Sequence, residues 1–357
     1  MSDAMLKYQC PKCTGPMHFD TSIQMVVCDY CDAQFPESYF HEGEETEEIE
    51  KVDWKIDGNV TEKEVIENQS GFICTSCGAE VVSDGNTAAT ECMYCGNPIV
   101  LTENISGMVR PDMVLPFKID KAEAEKMLKN FYNKKFLLPS AFKDNNRIRK
   151  IAGMYIPFWL FSGKGDGYLT MEGQNSTTRR EGDYKVTTTR HYDVSRAGTV
   201  DFTNIPVDAS EKMEDNYMDG LEPYDYSELK EFSPSYMAGF FADKFDVSVD
   251  DCTERAKVRV LSSTKESMRA TVKGYSFVVE KGSNIQFVTE DVKYAMLPVW
   301  MLNTKFGDKM YHFAINGQTG KVSGDLPIDK NKKRLLQIAL TAACYVPLAI
   351  IAYNIFL

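Results

Sequence analysis

Cys10-Pro11-Lys12-Cys13 followed by Cys28-Asp29-Tyr30-Cys31, and Cys74-Thr75-Ser76-Cys77 followed by Cys92-Met93-Tyr94-Cys95, decide how this chain is read. In each pair fourteen residues separate the two Cys-x-x-Cys turns, and all four cysteines of the first set recur 64 positions later. Two thiolates three residues apart sit on one tight turn and reach the same ion. A second such turn completes a tetrahedron of sulfurs around Zn²⁺ at about 2.3 Å. The spacing therefore predicts two zinc ribbons over 1–36 and 70–110, with one Zn²⁺ on Cys10, Cys13, Cys28 and Cys31. A second sits on Cys74, Cys77, Cys92 and Cys95.

Between the turns the sequence reads as short hairpins. Met17-His18-Phe19 and Gln24-Met25-Val26-Val27 flank Asp20-Thr21-Ser22, and Glu80-Val81-Val82 leads into Asp84-Gly85. Sheets this small bury too little apolar surface to hold together alone, so metal must supply the difference. Four thiolates also suit iron. Disulfides need an oxidising compartment, and residues 1–9 hold no apolar leader, so the thiols are expected to stay reduced.

Charge is unevenly spread over the 357 residues, whose formal net charge is −12. Residues 1–70 carry 5 basic and 16 acidic groups, and 71–112 carry 1 and 5. Residues 113–334 carry 34 and 31, and 335–357 carry none. Nucleic-acid binding runs on phosphate neutralisation. Acidic ribbons argue against it, although zinc ribbons elsewhere serve polymerases and helicases, so a nucleic-acid-binding role stands as the alternative reading. Glu42, Glu44, Glu45, Glu47, Glu48 and Glu50 repel one another, and 37–69 reads as a solvated acidic linker.

From 111 to 329 the pattern is that of a mixed α+β domain. Asp120 with Glu123 resembles a capping box before a helix over 122–136, on which Leu128, Phe131 and Tyr132 share a face. The run 155–160 with Pro157 reads as the start of an edge strand, and Gly163-Lys164-Gly165-Asp166-Gly167 as a turn. Residues 208–270 read as mostly helical, with one helix from Pro234 through 245 and another over 252–269 capped by Ser248 or Asp250. Strands are expected at 275–279, 285–288, 297–302 and 310–315, with a hairpin at Asn316-Gly317 and Thr319-Gly320. Ile156-Pro157-Phe158-Trp159-Leu160 and Leu297-Pro298-Val299-Trp300-Met301 share an apolar-Pro-apolar-Trp-apolar pattern, which suggests an internal duplication.

The stretch 335–357 has no charged residue or histidine and follows Lys330, Lys332, Lys333 and Arg334. Over 330–357 this predicts a basic flank and one C-terminal transmembrane helix, leaving the bulk of the chain cytoplasmic at the cell membrane. His18, His41, His191 and His312 are scattered, and no Gly-x-Ser-x-Gly, His-Glu-x-x-His or Walker motif occurs. A thiolate quartet leaves no metal position open for a reacting water, so no enzyme is expected.

The chain resembles the bacterial YdjG-type membrane proteins, described as carrying transcription-factor-IIB-type zinc ribbons. Beyond the cysteines, the likeness rests on Gly153-Met154-Tyr155-Ile156-Pro157-Phe158-Trp159 and Ile205-Pro206-Val207-Asp208-Ala209-Ser210-Glu211-Lys212-Met213. It continues through Leu221-Glu222-Pro223-Tyr224, Leu297-Pro298-Val299-Trp300 and Asn316-Gly317-Gln318-Thr319-Gly320-Lys321-Val322. The resemblance implies a membrane-associated accessory protein of an envelope-stress system, and the basic-flanked apolar end with the saturated metal sites makes a membrane-anchored adaptor the expected role. Its implied partners are a phage-shock-type coiled-coil protein, a flotillin-like (SPFH) protein and a second membrane protein.

Overall fold

The computed structural model describes residues 10–13, 15–39, 51–56, 59–66, 69–74, 76–83, 92, 94–95, 102–105, 108–143, 151–213, 215–307 and 309–356. The acidic run Glu42–Glu50 and the Asp84-Gly85 turn lie outside these residues.

The first ribbon is a three-stranded sheet of β1 (Met17–Asp20), β2 (Met25–Cys28) and β3 (Gln34–Phe35). In the second half of the expected linker, β4 (Lys51–Ile56) and β5 (Asn59–Ile66) form a hairpin, which β9 (Met108–Val109) joins. The second ribbon contributes β6 (Gln69–Ile73), β7 (Glu80–Ser83) and β8 (Thr102–Ile105). These continue into an 11-stranded sheet with β10 (Met113–Val114), β11 (Ala152–Glu181), β12 (Tyr184–Asp208), β13 (Lys230–Glu231), β14 (Phe241–Asp243), β15 (Phe277–Phe306), β16 (Lys309–Asn316) and β17 (Val322–Gly324). The helices are α1 (Lys121–Asn133), α2 (Asp215–Leu221), α3 (Val249–Ala270) and α4 (Lys330–Phe356). The chain is thus a mixed, sheet-rich fold carrying two cysteine quartets.

Its centre is the antiparallel pair β11–β15, in which Ile156 faces Leu297. These two residues occupy the same place in the apolar-Pro-apolar-Trp-apolar pattern, so an approximate twofold axis runs through the pair. Contacts around it recur in the same register. β14 runs parallel to β11 at Met154–Phe241, and β10 runs parallel to β15 at Ala295–Met113. Ala209 N donates to Pro157 O at 3.0 Å, and Gly317 N to Pro298 O at 2.9 Å. Each half lends its first strand to the other half's long strand, which interlocks them.

Period-two alternation along these strands builds two core layers. Tyr155, Trp159, Phe161, Trp300 and Leu302 point to one face, where α1 and the first ribbon pack. Met154, Ile156, Phe158, Leu160, Leu297 and Val299 point to the other, where α2 and the second ribbon pack. The two cysteine quartets therefore belong to opposite layers of one sheet.

Several expectations are corrected. Residues 155–160 are buried in a central strand, because β15 covers one side of β11 and β12 and β14 the other. The Gly163–Gly167 segment is no turn but the middle of the 30-residue β11. There α3 crosses so closely that a Cβ on Gly165 would overlap Thr264 Oγ1. The helix expected from Pro234 is a single 3-10 turn, Pro234–Met237. The separate strands expected between 275 and 302 are one continuous β15.

The fold class is corrected at its C-terminus as well. Among the described residues no helix is long and apolar enough to cross a membrane. The expected transmembrane helix therefore falls, and with it the single-pass placement. The first turn of α4 is basic and tied to the domain: Asp329 Oδ1 accepts from Asn331 N at 2.9 Å, and Lys332 Nζ donates to Leu138 O at 2.8 Å.

Candidate metal centres

Each quartet is assembled from two Cys-x-x-Cys knuckles, which in the first ribbon are brought together by the short β1–β2 hairpin. In the first ribbon, Met17 pairs with Cys28, and Cys10 N donates to Gly15 O at 2.9 Å. Lys12 N and Tyr30 N each donate to a sulfur, of Cys10 and Cys28, at 3.4 Å. In the second, Cys74 N donates to Ala79 O at 2.8 Å and Tyr94 N to Cys92 Sγ at 3.4 Å. Amides aimed at sulfur favour the thiolate, the form that binds metal.

In each quartet all four sulfurs lie within 4.8 Å of one another. Sγ separations are 3.6 Å for Cys10–Cys31, 3.4 Å for Cys13–Cys28, 3.6 Å for Cys74–Cys95 and 3.7 Å for Cys77–Cys92. A tetrahedron with sulfur about 2.3 Å from its centre has edges of roughly 3.8 Å. Disulfides would need about 2.05 Å. The donor set and its spacing fit a tetrahedrally coordinated ion, and all eight cysteines expected from the sequence are brought together as two groups of four. Two metal ions can be held.

The electrostatics repeat too. Burial works to raise the Cys10 thiol, but the amides of Lys12 and Cys13 and the sulfurs of Cys31 and Cys28 outweigh it, lowering its pKa to about 7. Cys74, its counterpart, has burial outweighed by the amides of Cys77 and Ser76 and the sulfurs of Cys95 and Cys77, again to about 7. Burial raises Cys92. The first cysteine of each quartet is thus the one whose surroundings favour the thiolate. The remaining cysteines stand apart: Cys252 is buried in α3 and Cys344 is exposed.

Sequence reading missed how the second quartet is moored. Tyr94, between Cys92 and Cys95, donates its hydroxyl to Asp243 Oδ2, which also accepts from Ser210 Oγ at 2.7 Å. Asp243 is fully buried, and Lys244 N donates to its Oδ1 at 3.0 Å. Burial above all, against the pull of the Tyr94 and Ser210 hydroxyls, raises the Asp243 carboxyl to about 6. Beside this bond, β7 pairs antiparallel with β14. Tyr30 holds the same place in the first quartet but is 76% exposed, against 6% for Tyr94. The repeat itself was the available signal: one tyrosine position, two fates. His18 belongs to neither quartet and contacts Asp29 Oδ1 at 2.6 Å through Nδ1. The first ribbon docks elsewhere, with Phe19 N donating to Ala238 O at 3.0 Å and Gln24 Nε2 to Phe117 O at 2.8 Å.

Fold and site together define a class: a mixed, sheet-rich protein with an approximate twofold repeat at its centre and, on each face of its central sheet, a four-cysteine group able to hold a metal ion. No family model matches the chain, and no solved structure does. It is 34% identical over 328 residues to the uncharacterized protein YdjG of Bacillus subtilis (strain 168), covering 92% of each chain. The chain belongs to the YdjG family.

Proposed function

We propose that this protein is a non-enzymatic adaptor in which two Zn²⁺ ions staple binding modules onto a rigid sheet. The observation that carries this reading is the saturation of both centres. Four sulfurs complete each tetrahedron, so the ion builds structure and offers no position for a reacting water. Mooring of the ribbons on opposite layers supports it further, because each ribbon's surface is then held at a fixed place on the sheet. The partners proposed are proteins of the kinds the family resemblance implies: a phage-shock-type coiled-coil protein, a flotillin-like protein and a membrane protein.

The test is metal analysis and recruitment with the full chain. Purified protein should contain two zinc atoms, and Cys77→Ser should contain one. A pull-down with purified candidate partners should recover at least one with the wild type and markedly less with Cys77→Ser. Metal content far below two, or recovery indifferent to both quartets, overturns the reading.

A further inference from the structure

The twofold relation between the halves does not extend to one feature. β16 returns along β15 for 8 residues, whereas its counterpart β12 returns along β11 for 25. The extra length, together with residues 277–292 of β15, forms a three-stranded arm in the order β12-β11-β15. One face is sealed by α3, whose Met268 packs with Leu169, Met171, Val194 and Ile285. The two outer edges of the arm differ.

Along the outer edge of β12 stand Arg190, Asp193, Arg196 and Asp201, and Asn204 is left-handed at φ 55°. Charges and irregular backbone are the usual means of refusing another strand. Along β15, register shifts fall at Lys281 and at Glu290. Both bulge residues are engaged on the arm itself, Lys281 with Glu172 at 2.8 Å and Glu290 with Lys164 at 2.6 Å. Between them, Gly282-Ser283-Asn284-Ile285-Gln286-Phe287-Val288-Thr289 holds no charge and no proline. It pairs residue for residue with 163–170 on β11, and among the described residues no strand pairs with its other side.

The direction of the backbone groups follows from the glycines opposite. A Cβ on Gly163 would overlap the carbonyl oxygen of Val288, and one on Gly167 that of Asn284. These carbonyls therefore point at β11. By the two-residue alternation of an antiparallel ladder, the amides and carbonyls of Ser283, Ile285, Phe287 and Thr289 point outward.

We propose that the edge 282–289 is a strand-addition site that takes an extended, uncharged segment of about eight residues from a partner protein. This rests on the adaptor reading and names how a partner is held. Backbone hydrogen bonds supply the affinity. Specificity comes from alternate side chains: those entering beside Ile285 and Phe287 extend the apolar layer under α3 and must be apolar. The bulges at Lys281 and Glu290 set the length.

The probe is a phage-displayed library of random twelve-residue peptides, selected on the full-length, metal-loaded protein. Enriched peptides should share an uncharged run with apolar residues at alternate positions. They should bind Ser283→Pro/Thr289→Pro at least about tenfold more weakly, because proline removes two outward amides without touching the β11 ladder. Ser283→Ala/Thr289→Ala should bind like the wild type. Bound peptide should slow hydrogen exchange of the amides in 283–289, a readout on the wild type that decides the matter if the proline variant fails to fold. Absence of enrichment, equal binding to all variants, or protection mapping elsewhere overturns the proposal. Because metal content and recruitment by the ribbons are measured separately, failure here leaves the adaptor reading standing.

Discussion

Ile156 and Leu297 face each other across the central strand pair and hold equivalent places in the two halves of the chain. The tryptophans three residues on show what this symmetry does. Trp159 Nε1 donates to Val247 O at 3.1 Å, and Trp300 Nε1 to Ile119 O at 2.9 Å. Val247 and Ile119 each immediately precede a helix N-cap, Ser248 of α3 and Asp120 of α1. Each long strand thus pins the start of the other half's helix. Trp159→Phe and Trp300→Phe should each lower unfolding free energy by about 1–3 kcal/mol, the usual penalty for an orphaned buried acceptor. Urea midpoints check this, and a loss confined to one variant would show that the two contacts are not equivalent.

Tyr94→Phe should loosen the second metal centre and leave the first alone. The substitution deprives the buried Asp243 carboxylate of one of its two hydroxyl donors, leaving Ser210. A cost of about 1–3 kcal/mol is expected. Metal transfer to a chromogenic chelator should be biphasic, with one phase faster in the variant and the other unchanged. Tyr30→Phe, at the exposed counterpart, should change neither phase.

What the sequence made legible follows from where information is local. The quartets, the α1 cap at Asp120 and the α3 cap at Ser248 are written in short spacings, and the ligand sets were read from them directly. The long strands were not, because Gly163, Gly165 and Gly167 mark a turn in a local reading. The crossing helix, with Thr264 and Val260 over the strand, gives Gly165 its reason, and the close approach of the β15 backbone gives Gly163 and Gly167 theirs. The same holds for Asp243, whose partner Tyr94 lies 149 positions away. The basic flank of the C-terminal stretch likewise meets the carbonyl of Leu138, 194 positions away, a contact that no local reading gives.

Asp208 makes a pH prediction. Only 2% exposed, it is raised to about 6 by burial, in spite of Arg255 Nη1 at 2.9 Å. Arg255 is shared with Asp215 and Asp219. Between the unfolded value near 3.9 and the folded value, the native state binds the extra proton, so this group's contribution to stability falls as pH rises through that window. Asp208→Asn cannot titrate. The stability of wild type minus variant should therefore drop by up to about 3 kcal/mol from pH 4 to pH 7, most steeply around pH 5 to 6. Paired denaturation curves test it, and a flat difference would place the Asp208 carboxyl at its ordinary value.

The contact between α3 and the arm is open to a steric test at Gly165. Besides overlapping Thr264 Oγ1, a Cβ there would lie 3.2 Å from Val260 Cγ1 and 3.2 Å from Phe202 Cε2. Val260 and Thr264 are both fully buried. Neither backbone can yield without disturbing its ladder, since β11 is paired on both sides here, to Val200 and to Phe287. Gly165→Val should therefore lift the helix, at an overpacking cost of about 1–3 kcal/mol. The loss should be local, with faster hydrogen exchange in α3 and in 194–202 while both metal centres keep their ions. A paired Gly165→Ala/Thr264→Ala variant removes one of the overlapping atoms and should recover part of the loss. Were Gly165→Val instead to unfold the quartets along with the arm, the arm would be part of the same cooperative unit as the metal-stapled core, and not an appendage resting on it.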